Sequence, residues 1–487
     1  MSLRIAFDNS YARLPDRFHA RLDPTPVAAP SLIRLNRDLA QELGLDPAAL
    51  DTPEGLAMLS GNAPPEGAEP LAMAYAGHQF GGWVPQLGDG RAILLGEVVD
   101  RQGTRRDIQL KGSGPTPFSR NGDGRAALGP VLREYLVSEA MHRMGIPTTR
   151  ALAAVATGET VQRETALPGG ILTRVARSHI RVGTFQFFAA RQDTDALKRL
   201  ADHVIDRHYP GTKDALGLLD AVVEAQAKLI AAWMSVGFIH GVMNTDNMSV
   251  AGETIDYGPC AFLDGYHPEK VFSSIDRGGR YAFNRQPDLA MWNLAQLASS
   301  LLPLIGDGDG SEGSDAVAQA TASINRFPEV FQPEWLRLFA GKLGIEDPVE
   351  GDVALIHDLL DVMTAANADF TNTFRALSGD AAAEALTDLD AMTGFADWRD
   401  RWHARLAPQK APSDELRARM QTVNAAVIPR NHRIEEAIAA AIEGDFTPFA
   451  RLDDALSRPY DPPASDGDWL RRAPTSDQEV RQTFCGT

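Results

Sequence analysis

Phe238-Ile-His-Gly-Val-Met-Asn-Thr-Asp-Asn-Met-Ser-Val250, continued after Ala-Gly-Glu-Thr by Ile255-Asp-Tyr-Gly-Pro259, is the stretch on which the fold turns. The apolar run Leu229–Ile239 upstream reads as a buried helix, far shorter than the ~20 residues of a membrane span. It enters a His-Gly loop closed by Asp246-Asn247. A short strand, a turn at Gly252 and a second strand ending in Asp256-Tyr257-Gly258 are expected to follow. Asn247 and Asp256 offer the hard oxygen donors that Mg²⁺ prefers, with phosphates and water completing its shell.

That order, a loop ending in a metal-binding Asn and then a hairpin leading to Asp-aromatic-Gly, is the order of kinase-like enzymes. A purely structural Asp-Tyr-Gly turn is the competing reading. The pattern also departs from theirs: the carboxylate expected five residues before Asn247 is replaced by Val242. Asp246 is the only carboxylate nearby to take a hydroxyl proton, which argues against phosphate transfer of the ordinary kind.

Upstream, residues 71–190 alternate strand-like runs with glycine: Ala92–Val99, Arg106–Lys111, Ala151–Ala156, Thr160–Arg163 and Gly170–Ala176. One helix, Pro130–Met144, interrupts them and stops at Gly145. Downstream the chain turns rich in Ala and Leu at helical spacing, through Asp214–Val236, Pro287–Leu302, Pro333–Leu343, Val353–Leu377 and Ser413–Glu443. The expected class is α+β, with a small, mostly antiparallel sheet lobe and a larger helical lobe in a protein-kinase-like bilobal fold. Four segments are expected: a 1–70 extension of short helices and loops, such as Ser31–Leu43; a 71–190 nucleotide-binding lobe; a 191–458 helical lobe; and a 459–487 tail, read as an extended strap.

Lys111 ends a strand whose Ile108 and Leu110 share a face. A lysine there is usually a surface residue, but Glu134 on the following helix would hold it toward nucleotide phosphates. Glu139 competes; five helical residues separate the two by ~140°, so one of them is expected to face the sheet. Arg174, Arg177 and Arg181 close the sheet, either as a rim of surface ion pairs or as an anion pocket. Gly88-Asp-Gly-Arg-Ala92 recurs as Gly122-Asp-Gly-Arg-Ala126. Each copy is either a tight turn or a phosphate cradle, since glycine lets backbone N–H groups approach phosphate oxygens.

The 487 residues carry 47 Lys plus Arg against 65 Asp plus Glu, a net charge of −18, which disfavours nucleic acid and anionic membranes as partners. Two cysteines, Cys260 and Cys485, exclude a disulfide framework or a four-cysteine zinc site. An N-terminus without a long apolar segment, carrying Asp8 and Asp16, points to the cytoplasm. Gly306–Asp315 reads as a solvated loop rather than a calcium site, and His203 and His208 as core or surface residues rather than a metal pair.

With these residues in hand, the chain resembles the SelO (selenoprotein O) family of kinase-like protein adenylyltransferases. The likeness runs through Asn9–Arg13, Tyr75-Ala-Gly-His-Gln-Phe-Gly-Gly82, Gln86–Arg91, Gln109–Arg120 and His240–Asn247 to the C-terminal Cys-Gly-Thr. Where some members carry selenocysteine, this chain has Cys485, the form expected of bacterial members. The resemblance implies ATP bound in reverse to a kinase, presenting its α-phosphate, and AMP transfer to Ser, Thr or Tyr hydroxyls of proteins, redox proteins among them. It implies UMP transfer from UTP as well, and Mg²⁺ or Mn²⁺ as the ion.

By the same resemblance Lys111, Arg174 and Arg181 contact phosphates, and Gly88, Gly90, Arg91, Asp123 and Gly124 bind the nucleotide. Glu134 orients Lys111, Asp246 accepts the proton, and Asn247 and Asp256 ligate the metal, Asp256 also meeting the nucleotide. A family theme of redox control implies that Cys260 and Cys485 pair, pinning the tail across the metal loop, against two unrelated thiols. The rival functions are a γ-phosphotransferase and a non-catalytic nucleotide-binding redox scaffold.

Overall fold

In the computed structural model, which describes residues 4–305 and 313–481, an antiparallel eight-stranded sheet stands over a helical lobe. Its path runs His19–Arg21, Leu71–Met73, Ala92–Val99, Arg105–Lys111, Ala166–Ala176, Arg150–Gln162 and Ser31–Leu35, with Ala126–Ala127 added beside Gly169 and Gly170. Lys111 pairs with both Ala92 and Leu172, and Gln109 with Arg174, so the polar Lys111, Gln109 and Arg174 share one face. Ile108 and Leu110 point the other way, into a core closed by Leu39, Leu50, Met58 and Leu59 of three short helices in the N-terminal segment. Helix Leu128–Arg143 covers the opposite face through Leu128, Val131, Leu132 and Leu136. A sheet covered on both sides has no need of polar alternation, which is why Ala92–Val99 and Ala151–Ala156 read as nearly continuous apolar runs.

The N-terminal segment supplies two edge strands, and Ser31–Leu35 is one of them rather than helix or loop; the helix starts only at Arg37, capped by Asn36. Ala151–Ala156 and Thr160–Arg163 are one strand, Arg150–Gln162. In the helical lobe Ala215–Ser235, capped by Asp214, packs against Phe327–Lys342 and Gln286–Leu301. The buried run Leu229–Ile239 is helical only to Ser235, because Phe238–Ile239 pairs with Ala261–Phe262.

Expected long helices break where their residues demand it. Val353–Leu377 divides at Asn367, left-handed at φ +48°, and restarts at the Asp369 cap. Ser413–Glu443 divides around Pro429. The helix expected from Pro333 begins at Phe327, with Pro328 in its first turn. Helices Asn431–Ile442 and Thr447–Leu456 return to pack on Leu128–Arg143, tying the end of the chain to the sheet lobe. Within the described residues, 459–481, the tail is not one extended strap: it holds a helix, Ala464–Arg471, whose Trp469 ring lies under Arg433 and Arg451. Much of the Gly306–Asp315 loop falls on residues 306–312, outside those described. No helix among the described residues is long and apolar enough to cross a membrane.

Candidate active site

The strand Arg105–Lys111 ends in a cleft of about 1120 Å³ between the lobes. There Lys111 Nζ donates to Glu134 Oε2 at 2.5 Å and to Asp256 Oδ1 at 2.9 Å. Arg174 is buried behind it. Its Nη1 donates to Asp256 Oδ1 at 2.6 Å and Glu134 Oε1 at 3.2 Å, while Nη2 and Nε hold Gln109 Oε1. Arg181 donates to Asp256 Oδ2 and to the Asp246 carbonyl at 2.6 Å, with its guanidinium 4.7 Å from the Tyr75 ring centre. Asp107 secures the turn before Arg181, since its Oδ2 lies 2.9 Å from both the backbone N and the ring Nδ1 of His179.

Of the two candidate glutamates, Glu134 takes the cleft and Glu139 turns away to Arg150 and Asn36; both are buried. Arg177 also leaves the cluster, its backbone N–H donating to Glu253 and its guanidinium to the Ala251 carbonyl. Three cations therefore converge on two close carboxylates, leaving excess positive charge facing the cleft.

The expected hairpin between Asn247 and Asp256 does not form. Val250 N–H bonds the Ile180 carbonyl and Val182 N–H the Met248 carbonyl, while Thr254 pairs with Pro147 and Thr149, so each arm is taken by another segment. Asp256 itself is left-handed at φ +62°, a strained conformation for an aspartate that the surrounding contacts maintain. Burial would raise its carboxyl, but Arg181, Lys111 and Arg174 together hold it well below the usual range.

Asp246 meets the reverse fate. It is buried, its Oδ2 accepts from Gln79 Nε2 at 3.1 Å, and its Oδ1 has no hydrogen-bond partner in another residue. Burial pushes its carboxyl up to about 6, against the lesser pull of Gln79 and Arg181. Next to it, Asn247 Nδ2 donates to the Val242 carbonyl at 2.9 Å, which leaves the lone pairs of the side-chain oxygen for a cation.

All the residues to which the resemblance assigns a site role line this one cleft: Gly88, Gly90, Arg91, Asp123 and Gly124 at the glycine loops, Lys111, Glu134, Arg174 and Arg181 at the back, and Asp246, Asn247 and Asp256 on the floor. The two Gly-Asp-Gly-Arg copies have different surroundings. Asp89 is buried, accepting from Met73 N–H and Gln109 Nε2, whereas Asp123 is a half-exposed partner of Arg163. Gly88 is at φ +82° and a Cβ there would lie 2.3 Å from the Phe118 ring, so this turn demands glycine.

Gln79, Tyr75 and Gln109 were not singled out as site residues. The polar residues within Tyr75–Gly82, a stretch dense in glycine and aromatics, were the available signal. Cys260 is buried, and the expected pairing with Cys485 lies outside the described residues. Among the described residues no group of three or more His, Cys, Asp or Glu forms a self-sufficient metal site.

The sequence profile described as protein adenylyltransferase SelO matches residues 1–457. The chain is 60% identical, over the full length of both proteins, to a Bradyrhizobium sp. (strain ORS 278) protein named protein nucleotidyltransferase YdiU. It is 57% identical, again over both full lengths, to the protein of that name from Ruegeria pomeroyi, and 59% identical to the one from Agrobacterium fabrum over 99% of each.

Proposed function

The chain belongs to the SelO family of protein adenylyltransferases and is a nucleotidyltransferase, and from that premise we propose that it moves AMP from ATP to Ser, Thr or Tyr hydroxyls of proteins in the cleft between Asp246 and the Lys111–Arg174–Arg181 cluster. The observation that carries this reading is Asp246, a buried carboxyl at about 6 with its Oδ1 unpartnered, lining the same cavity as three converging cations. A base poised near neutrality suits abstraction of a hydroxyl proton. The cations suit the growing charge on a polyphosphate.

We read the two lobes as a kinase-like pair, with residues 71–190 binding the nucleotide and 191–458 carrying the acceptor loop, and ATP lying reversed so that its α-phosphate meets the floor. The acceptor oxygen forms a bond to the α-phosphorus, the bond from that phosphorus to the α–β bridging oxygen breaks, pyrophosphate leaves, and the hydroxyl proton passes to Asp246. Lys111, oriented by Glu134, and Arg174 and Arg181 exchange part of their contact with Asp256 for phosphate oxygens. The donor set fits a hard divalent ion completed by phosphates: Asn247 and Asp256 would hold Mg²⁺ or Mn²⁺, which supplies charge neutralisation when bound. Gly88, Gly90, Arg91, Asp123 and Gly124 would enclose the remainder of the nucleotide.

The test is incubation with Mg²⁺ or Mn²⁺ and ATP labelled separately at the α- and γ-phosphates, with α-labelled UTP in parallel. Retained α-label on protein is the expected result. Retained γ-label alone would establish a kinase, and neither label would leave a nucleotide-binding scaffold.

A further inference from the structure

Beside Asp246 a small hairpin, Gly77–Gln79 paired with Gly82–Val84, is fastened to the loop that carries it. His78 N–H donates to Thr245 Oγ1 at 2.7 Å, Gln79 to Asp246, and Phe80 N–H to Asn244 Oδ1 at 3.0 Å. Gly77 lies so close that a Cβ would come within 3.0 Å of Asp246 Oδ1. The hairpin therefore cannot shift without moving that carboxylate.

Its tip is apolar and open to water. Phe80 and Trp83 are 38% and 41% exposed, and Ile275, on the lip of the same cleft, is 67% exposed. Around them Phe80 packs edge-on against Tyr281 at 5.2 Å, and His78 bridges Trp83 and Trp292 at 5.0 and 5.3 Å. Arg280 lies 4.9 Å from the centre of the Trp292 ring, with the exposed Arg277 three residues before it. Asp276, the nearby carboxylate, is turned inward to cap the Arg280 and Tyr281 N–H groups, so the exposed charge here is basic. Exposed Trp83 and Arg277, backed by the buried Tyr281, have the composition of an interface hot spot. A monomeric surface gains nothing by leaving them wet.

We propose that this surface docks the acceptor protein, taking an extended segment that places an apolar side chain on Phe80, Trp83 and Ile275 and an acidic one toward Arg277 and Arg280, with its hydroxyl delivered to Asp246. The inference rests on the AMP-transfer reading above. The hairpin edge Gly82–Val84 gives the segment a backbone to lie along, and attachment of the same hairpin to Thr245 and Asp246 sets the distance from anchor to acceptor.

The experiment uses the full chain, α-labelled ATP and dephosphorylated casein, an unfolded acidic protein rich in hydroxyls, as the probe. A Trp83→Ala/Ile275→Ser double variant is expected to raise KM for casein about tenfold or more, the scale of losing an interface anchor. Arg277→Glu should raise it as well. KM for ATP should stay within about twofold in both, since these residues are outside the phosphate cluster. Val349→Ser, an exposed apolar residue elsewhere, is the control. Casein kinetics in the double variant matching that control overturn the docking surface. So does wild-type label confined to the enzyme itself, which would leave AMP transfer standing. A wild-type chain that retains no α-label on any protein overturns the AMP-transfer reading, and the docking surface with it.

Discussion

Asp246 and Asp256 stand ten residues apart on neighbouring loops of one cleft, and their carboxyls are driven in opposite directions. Asp246 is buried with one oxygen unpartnered, and it rises to about 6. Asp256 is gripped by three cations and lies well below the usual range. Desolvation raises both; nearby charge overrules it in one case only. One cleft thus holds a carboxylate suited to receiving a proton and another suited to staying ionised. A Coulomb gain over ~3 Å inside a protein is large enough to reverse a burial penalty, whereas one amide hydrogen bond is not.

The most severe way to disturb this contrast is Asp256→Ala. It leaves Lys111, Arg174 and Arg181 short of a counter-charge, with an expected cost of about 3–5 kcal/mol in denaturant unfolding. Protein labelling from α-labelled ATP should be lost, and unchanged labelling would remove Asp256 from its proposed role. Asp246→Asn keeps the shape and removes the base. Turnover should fall about 10²–10⁴-fold with ATP binding nearly unchanged, read from single-turnover labelling beside a nucleotide-binding titration.

The comparison extends to the Gly-Asp-Gly-Arg twins. Asp89→Ala strips partners from Met73 N–H and Gln109, for an expected loss of about 1–3 kcal/mol. Burial holds the Asp89 carboxyl at about 6, opposed by Arg181 and the Met73 amide. A raised folded value means that the native state binds the extra proton, so the Asp89 contribution is present below pH ~4 and lost as pH rises to about 6. Asp89→Asn should flatten that slope relative to wild type in urea unfolding across the same window. Asp123→Ala should have the smallest effect, within about 0.5 kcal/mol, because its Arg163 pair is open to solvent. A cost for Asp123→Ala as large as that for Asp89→Ala would show that the twins are not divided by burial.

Much of this site was legible along the chain because its chemistry is clustered in short runs: Asp246-Asn247, Asp256-Tyr-Gly258, Lys111 at a strand end, Glu134 on the next helix. Glu134 and Glu139 show the limit. Helical geometry separated the two, but only packing assigned Glu134 to the cleft and Glu139 to Arg150. Arg174, Arg177 and Arg181 looked alike as three cations within eight residues; Gln109 captures the first, and Glu253 and Ala251 draw the second away. Segment 248–256 read as a hairpin by local pattern, yet its partners lie at residues 147–149 and 180–182, contacts that no local propensity encodes.

By itself the sequence determined the α+β class, the central strands of the sheet and most of the helices, because periodicity, glycine and proline act over a few residues, and the family resemblance it carries implied the residues of the cleft. Only the tertiary structure decided that the first seventy residues complete the sheet, that the last helices fold back onto Leu128–Arg143, and that two nearby aspartates have opposite electrostatic fates. Those outcomes depend on burial and on charges brought together from distant segments, and such sums exist only once the chain has folded.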